Sequence, residues 1–204
     1  MATTAGARLT ESHRLAQARL GAQTVRQMLT LWSLVDVYRL DATVPEWLRV
    51  AIPLIDSQRV RSANLAAAYL RAFRTLELPD AAPVAPILAG PADVAAVTAS
   101  LSVTGPVSLK RSMSAGADLA RASVTAQTNT ARAAMRHTLD AGRQTIEATT
   151  LADPRAVGYR RVTSGDACDF CSMLAGRGAV YSARTSTFQS HDGCSCSSEP
   201  AFDN

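Results

Sequence analysis

The sequence predicts a mainly α-helical protein, with long helices forming an extended body and a small C-terminal module that contains β-structure. Three observations carry this expectation. Apolar residues recur at helical spacing through most of the first 150 positions, the pattern changes at "DPR" (153–155), and all four cysteines lie beyond that point. The expected division is a helical body over 1–153 and a Cys/His module over 154–204.

The first helix is expected from about Thr10 to Leu40, with Leu15, Ala18, Ala22, Val25, Leu29 and Trp32 forming its inward stripe at steps of three and four. In "TVPE", Thr43 reads as an N-cap with Pro45 in the first turn and Glu46 three residues on, a capping-box pattern. The helix that follows carries Leu65, Tyr69, Phe73 and Leu76 on one face. Pro53 should kink or restart it, because proline removes a helical donor. Pro79, Pro83, Pro86 and Pro91 make 79–91 an irregular elbow, and "TGP" (104–106) a shorter break.

From Val107 to about Leu151 a long helix is expected, rich in Ala, Ser, Thr and Arg. Leu109, Met113, Val124, Met135 and Ile146 are its sparse apolar points. So thin a seam buries little by itself, and helical stability comes mainly from packing, so this helix should need neighbours or another subunit. His13 and His137 are expected on helix surfaces.

No apolar run reaches the roughly 18–20 residues needed to span a bilayer, which predicts a soluble chain with no membrane partner. The N-terminus lacks the pattern of a signal peptide, and the intracellular setting this implies disfavours structural disulfides. Net charge is +4, and every basic residue except Lys110 is an arginine. Before Pro154 there are 16 basic and 12 acidic residues, and from it onward 5 of each, so the excess belongs to the body. Arg132, Arg136 and Arg143 fall at steps of four and seven and share a helix face that can meet phosphates without sequence preference. An ordinary solvated face accounts for the same spacing.

In the module, "GYRRVTSGDACDFC" and "GAVYSA" read as short strands around turns, and "HDGCSC" as a turn entering a strand. About fifty residues hold little core, so a staple is needed. Cys168 and Cys171 form a C-x2-C knuckle, and His191, Cys194 and Cys196 return after 19 intervening residues. These are five soft donors for a four-coordinate ion. Structural zinc suits thiolate and imidazole ligands, and four of the five are expected to bind it. Whether the set is four cysteines or three with His191 is open at this level.

Catalytic readings are weaker. A thioredoxin-like dithiol wants a βαβ unit. A Cys171 nucleophile assisted by His191 and Asp192 lacks an oxyanion loop, and a zinc deaminase needs H-x-E, whereas His137 is followed by Thr and Leu. The expectation is therefore a non-enzyme, the alternative being a zinc-dependent nucleic-acid-binding protein or enzyme.

"YRRVTSGDACDFCSMLAGRGAVYSA" followed by "HDGCSCSSEPAF" resembles the C-terminal cysteine and histidine module of the phage Mu F-like minor head proteins, in the form encoded by actinobacterial tailed phages. The likeness covers roughly residues 155–202, and the helical body carries no such signature. It implies a minor capsid component of the phage head, associated with portal, major capsid protein and packaged DNA. The implied locations are the virion and, during assembly, the host cytoplasm. Self-association is a further expectation. The metal positions it carries over are Cys168, Cys171, His191, Cys194 and Cys196. Many relatives have proline after the histidine, where this chain has Asp192.

Overall fold

The computed structural model describes residues 2–164, 167–179, 188 and 190–203. It is mainly helical, as the periodicity predicts. Helix α1 spans Thr4–Leu31 and passes through a 3-10 turn at Trp32–Leu34. Helix α2 spans Leu40–Glu77, α3 Val94–Ser102, α4 Ser108–Ser114 and α5 Leu119–Ala152. Strand β1 (Ala156–Val162), helix α6 (Asp169–Gly176) and strand β2 (Ser197–Phe202) form the C-terminal module. GAVYSA lies almost entirely outside the described residues, and DACDFC leads into a helix where a strand was expected.

Helices α1, α2 and α5 pack on one another and make the body. Thr3 caps α1, its hydroxyl accepting from the Gly6 amide at 3.1 Å, and donates that hydroxyl to Glu77 at 2.6 Å. One residue thus satisfies a helix start and ties it to the far end of α2. The next helix begins at Leu40, three residues before the expected cap. Thr43 lies inside its first turn, where its hydroxyl accepts from the Asp36 amide at 3.1 Å, and Glu46 pairs with Arg49 instead of capping. The helix runs uninterrupted past Pro53, whose ring is on an exposed face, so no restart occurs.

The inward face of α1 is not the expected stripe. Leu15, Ala22 and Leu29 are exposed, while Gly6, Thr10, His13, Gln17, Gly21, Thr24 and Met28 are buried. The physical reason is a layer of small and polar groups that pair across the helices. Thr10 meets the Tyr69 hydroxyl at 2.8 Å. Gln17 donates to the Ser62 carbonyl at 2.9 Å and accepts from the Ser62 hydroxyl at 2.8 Å, and that hydroxyl accepts from the Gly142 amide at 3.0 Å. A Cβ at Gly142 would sit 2.6 Å from Gln17 Nε2, so glycine is what lets α5 approach this node. Buried polar groups satisfied this way carry no desolvation penalty.

The region expected as one long helix is divided. A π-helical turn at Val103–Val107 joins α3 to α4, a turn at Gly116 follows, and α5 restarts with Asp118 accepting from the Arg121 amide at 2.9 Å. Nor is α5 thinly buried. Ala122, Ala126, Ala131, Ala133, Ala134, Leu139 and Ile146 are all enclosed, and its neighbours belong to its own chain. Short side chains allow contact all along the helix, which an inventory of large apolar residues misses. Its upper half meets a core centred on Trp47, which is fully buried and packs edge-on to Trp32 at 5.6 Å.

The elbow is a strap. Amides of Ile87 and Ala89 donate to the hydroxyls of Thr149 and Thr145 on α5 at 2.8 and 3.0 Å, and Arg59 on α2 donates to the Gly90 carbonyl. At the lower end of the body, Arg74 and Asp153 form a buried pair at 2.6 Å. Strands β1 and β2 then pair antiparallel, Tyr159 opposite Pro200 and Val162 opposite Ser197. Phe202 brings β2 against Phe73 of α2. Among the described residues no helix is long and apolar enough to cross a membrane.

Candidate metal centre

Beyond β1 the chain turns at Ser164, whose carbonyl accepts from the Ala167 amide at 3.2 Å, and enters α6 with Cys168 at the N-cap. Cys171 is one helical turn on, so the two sulfurs fall on one side of the helix start. Asp169 adds a favourable negative charge to that first turn. Cys171 is buried and Cys168 exposed.

The returning half is a tight turn. Gly193 adopts φ +81°, and the Cys194 amide closes the turn on the His191 carbonyl at 3.1 Å. The Gly193 amide donates to the Arg132 carbonyl of α5 at 3.2 Å, and a Cβ there would lie 2.6 Å from Arg132 Nε. The backbone conformation is what calls for glycine here, since the exposed Arg132 side chain can move aside. Cys194 and Cys196 follow, both buried, and the chain becomes β2 at Ser197.

All five sequence-predicted donors come together. Cys168, Cys171 and His191 form one group whose ligand atoms lie within 4.8 Å of one another, and Cys171, Cys194 and Cys196 form a second. Cys171 belongs to both. His191 Nε2 is 3.2 Å from Cys168 Sγ and 3.4 Å from Cys171 Sγ, and Cys171 Sγ is 3.8 Å from Cys194 Sγ. Tetrahedral bonds of zinc length give ligand separations of about 3.8 Å for two sulfurs and about 3.6 Å for sulfur and nitrogen. The Cys171–Cys194 separation matches that spacing and the His191–Cys168 separation falls short of it, so a metal ion held by four of these residues would cross-link α6 to the start of β2 after small side-chain shifts. His191 Nδ1 lies 3.2 Å from the Asp192 carbonyl; a proton held there leaves the Nε2 lone pair facing the sulfurs. The four cysteines are free thiols.

The thiols are electrostatically unlike. Hydrogen bonding from Cys196 brings Cys194 down to about 5 against the opposing effect of burial, with the Arg143 charge assisting. Cys196 is pushed far upward by the same sharing and by burial. The Cys171 amide and then the His191 imidazole hold Cys168 below the ordinary thiol range. Metal binding requires thiolates, so a centre already holding one low thiol is prepared for it.

Around the sulfurs lies a ring of arginines that the spacing argument placed elsewhere. Arg143 is only 4% exposed; its Nε and Nη2 donate to the carbonyls of Cys196 and Cys194 at 3.0 and 2.7 Å, and its Nη1 to Asp140 at 2.8 Å. Arg136 donates to the Asp192 carboxylate at 2.6 Å. Arg161 of β1 points Nη1 at Cys171 Sγ, 3.8 Å away, and stacks over Phe188 at 3.8 Å. Arg136 and Arg143 of the shared face therefore turn to the module, while Arg132 is exposed and reaches the Asp192 carbonyl at 3.5 Å. The spacing was correctly read, but the partners lie more than fifty residues away in sequence. Asp192, through Arg136, anchors the turn to α5.

The histidines also differ from expectation. His13 is buried against Tyr69, ring centroids 4.5 Å apart, and burial lowers its pKa to about 4. His137 is partly enclosed, and burial followed by the adjacent Arg136 charge lowers it to about 4 as well. Residues that the sequence reading missed are Arg161, Asp140 and Phe188. For Asp140 the i,i+3 spacing to Arg143 was the available signal.

No curated protein and no solved structure matches this chain. A sequence profile described as "VG15 protein" matches residues 4–204, body and module together. The chain therefore belongs to the VG15 protein family, a family of viral and phage gene products.

Proposed function

We propose that the protein is a non-catalytic minor head component of a tailed bacteriophage, docking on portal or major capsid protein, with a structural zinc ion holding its C-terminal module. The reading rests on one observation above all: the five donors come together from the start of α6 and from the turn entering β2, the latter tied to α5 by Arg143, in a chain whose family is viral. A centre whose surroundings are committed to holding two segments together suits a structural cross-link. The resemblance of residues 155–202 to Mu F-like minor head proteins supplies the location, in the virion and in the host cytoplasm during assembly. Zinc is the ion proposed because thiolate and imidazole donors at these spacings suit it best.

The direct experiment is mass spectrometry of purified phage particles combined with elemental analysis of the purified chain. The protein should be found in heads in sub-stoichiometric copy number and carry about one equivalent of zinc. Its absence from particles refutes the head role, and zinc-free, fully folded chain refutes the metal cross-link.

A further inference from the structure

The five donors divide by exposure as well as by distance. Cys171, Cys194 and Cys196 are buried with relative exposures of 1%, 3% and 6%. Cys168 and His191 are exposed and line a cleft of about 240 Å³, to which the three buried cysteines also contribute. The buried three form a complete triad about one point, which fills three positions of a four-coordinate ion and leaves one.

Two groups compete for that position. His191 has its Nδ1 against the Asp192 carbonyl and its Nε2 3.4 Å from Cys171 Sγ, the sulfur that the two triads share. Cys168 sits at the N-cap of α6, exposed, with its Sγ beside His191 Nε2. Their ligand atoms are 3.2 Å apart, shorter than the separation of about 3.6 Å expected for sulfur and nitrogen on one tetrahedral ion. They stand in mutual hydrogen-bond contact, each able to swing to the ion as the other swings out.

We propose that Cys171, Cys194 and Cys196 hold the ion permanently while Cys168 and His191 exchange at the fourth position. The loaded centre then presents Cys168, for part of the time, as a solvent-facing thiolate open to soft electrophiles without loss of metal. This rests on the metal centre proposed above. It adds a modification site, because the displaced donor is the one most accessible on the module.

Iodoacetamide with the zinc-loaded full chain tests it. The Cys168 thiolate attacks the methylene carbon, the sulfur–carbon bond forms as the carbon–iodine bond breaks, and iodide leaves. The expected result is one adduct at Cys168, with the zinc retained on His191 and the three buried thiolates. In His191→Ala, Cys168 must occupy the fourth position, so zinc stays and alkylation slows by about tenfold or more, since the metal-bound sulfur is the weaker nucleophile. In Cys168→Ser, zinc stays and the adduct disappears. The double variant loses the stoichiometric zinc that each single variant keeps.

Zinc retained by the wild type but lost from either single variant overturns the shared position alone. Alkylation of His191→Ala at the wild-type rate does the same. Two equivalents of zinc per chain overturn it too, because each triad would then hold its own ion. A wild-type chain that binds no zinc removes the centre itself.

Discussion

Replacing Arg143 by methionine should open the module while leaving the upper body closed. Methionine keeps the packing of the arginine stem but removes the guanidinium, which donates at 3.0 and 2.7 Å to the carbonyls of Cys196 and Cys194. Hydrogen bonds from a charged donor contribute about 1.5–3 kcal/mol each, and both carbonyls would be left beside a buried apolar side chain. With partial re-solvation, a local destabilisation of about 3 kcal/mol follows, a large share of the 5–15 kcal/mol typical of a whole domain. At 1.36 kcal/mol per decade this is roughly a hundredfold faster amide exchange in the module. Hydrogen-exchange mass spectrometry on the zinc-loaded chain reads it, comparing peptides over 190–203 with control peptides over 119–135. Arg143→Lys, able to replace one bond but not the fork, should fall between. Exchange over 190–203 within twofold of wild type in the methionine variant would refute the assignment of Arg143 as the tie between body and module.

Three further outcomes are expected. His13 titrates near 4 when folded and near 6.5 when unfolded, so its contribution is intact above about pH 6.5, erodes as pH falls and levels off near pH 4, a loss of roughly 3 kcal/mol. His13→Phe keeps the stacking on Tyr69 and should roughly halve the dependence of melting temperature on pH between 7 and 4.5, His137 supplying the rest; an unchanged slope contradicts this. Asp153→Asn leaves the buried Arg74 charge without its carboxylate, at a cost of about 3 kcal/mol, or about 6–12 °C in melting temperature for a chain of this size. Burial, the largest single effect, raises the Asp153 pKa, but the Arg74 hydrogen bond, the Arg155 amide and the two arginine charges together outweigh it, so the wild-type advantage should persist above pH 4 and vanish only as pH falls through the lowered value. Gly193→Ala should speed zinc release to a chelator more than Gly178→Ala does. Both have positive φ, costing about 1–2 kcal/mol for alanine, but only Gly193 lies in the turn that joins His191 to Cys194. Equal effects from the two variants would show that the conformation of this turn does not matter to metal retention.

The helices were legible because their spacing is regular, and their inward faces were not, because those faces are built from small and polar residues. Gln17, Ser62 and Gly142 look like surface or breaker residues until the three are seen to satisfy one another. The same holds for α5, whose alanines and threonines give little apolar signal yet allow close approach on several sides. At the centre, the spacing of the five donors named every candidate ligand. It did not reveal α6, since C-x2-C brings two sulfurs together equally well as a loop knuckle or as an N-cap and first turn. Arg143 was placed on the correct helix without its tie to the module. Its acceptors there are main-chain carbonyls, which no side-chain pattern encodes.

The position of α5 in the chain also sets the order in which the protein is made. Helices α1 and α2 emerge from the ribosome first, yet the node of Gln17 and Ser62 is completed only by Gly142, 80 residues after Ser62. Until α5 has been synthesised, the two leading helices present Trp47, Ile55 and Phe73 without their final cover. Exposed apolar surface in such unfinished chains drives aggregation, and long-range closure of this kind slows folding. The species most at risk during expression is therefore the nascent chain that stops short of Leu119, and a ribosome pausing in the strap lengthens that exposure.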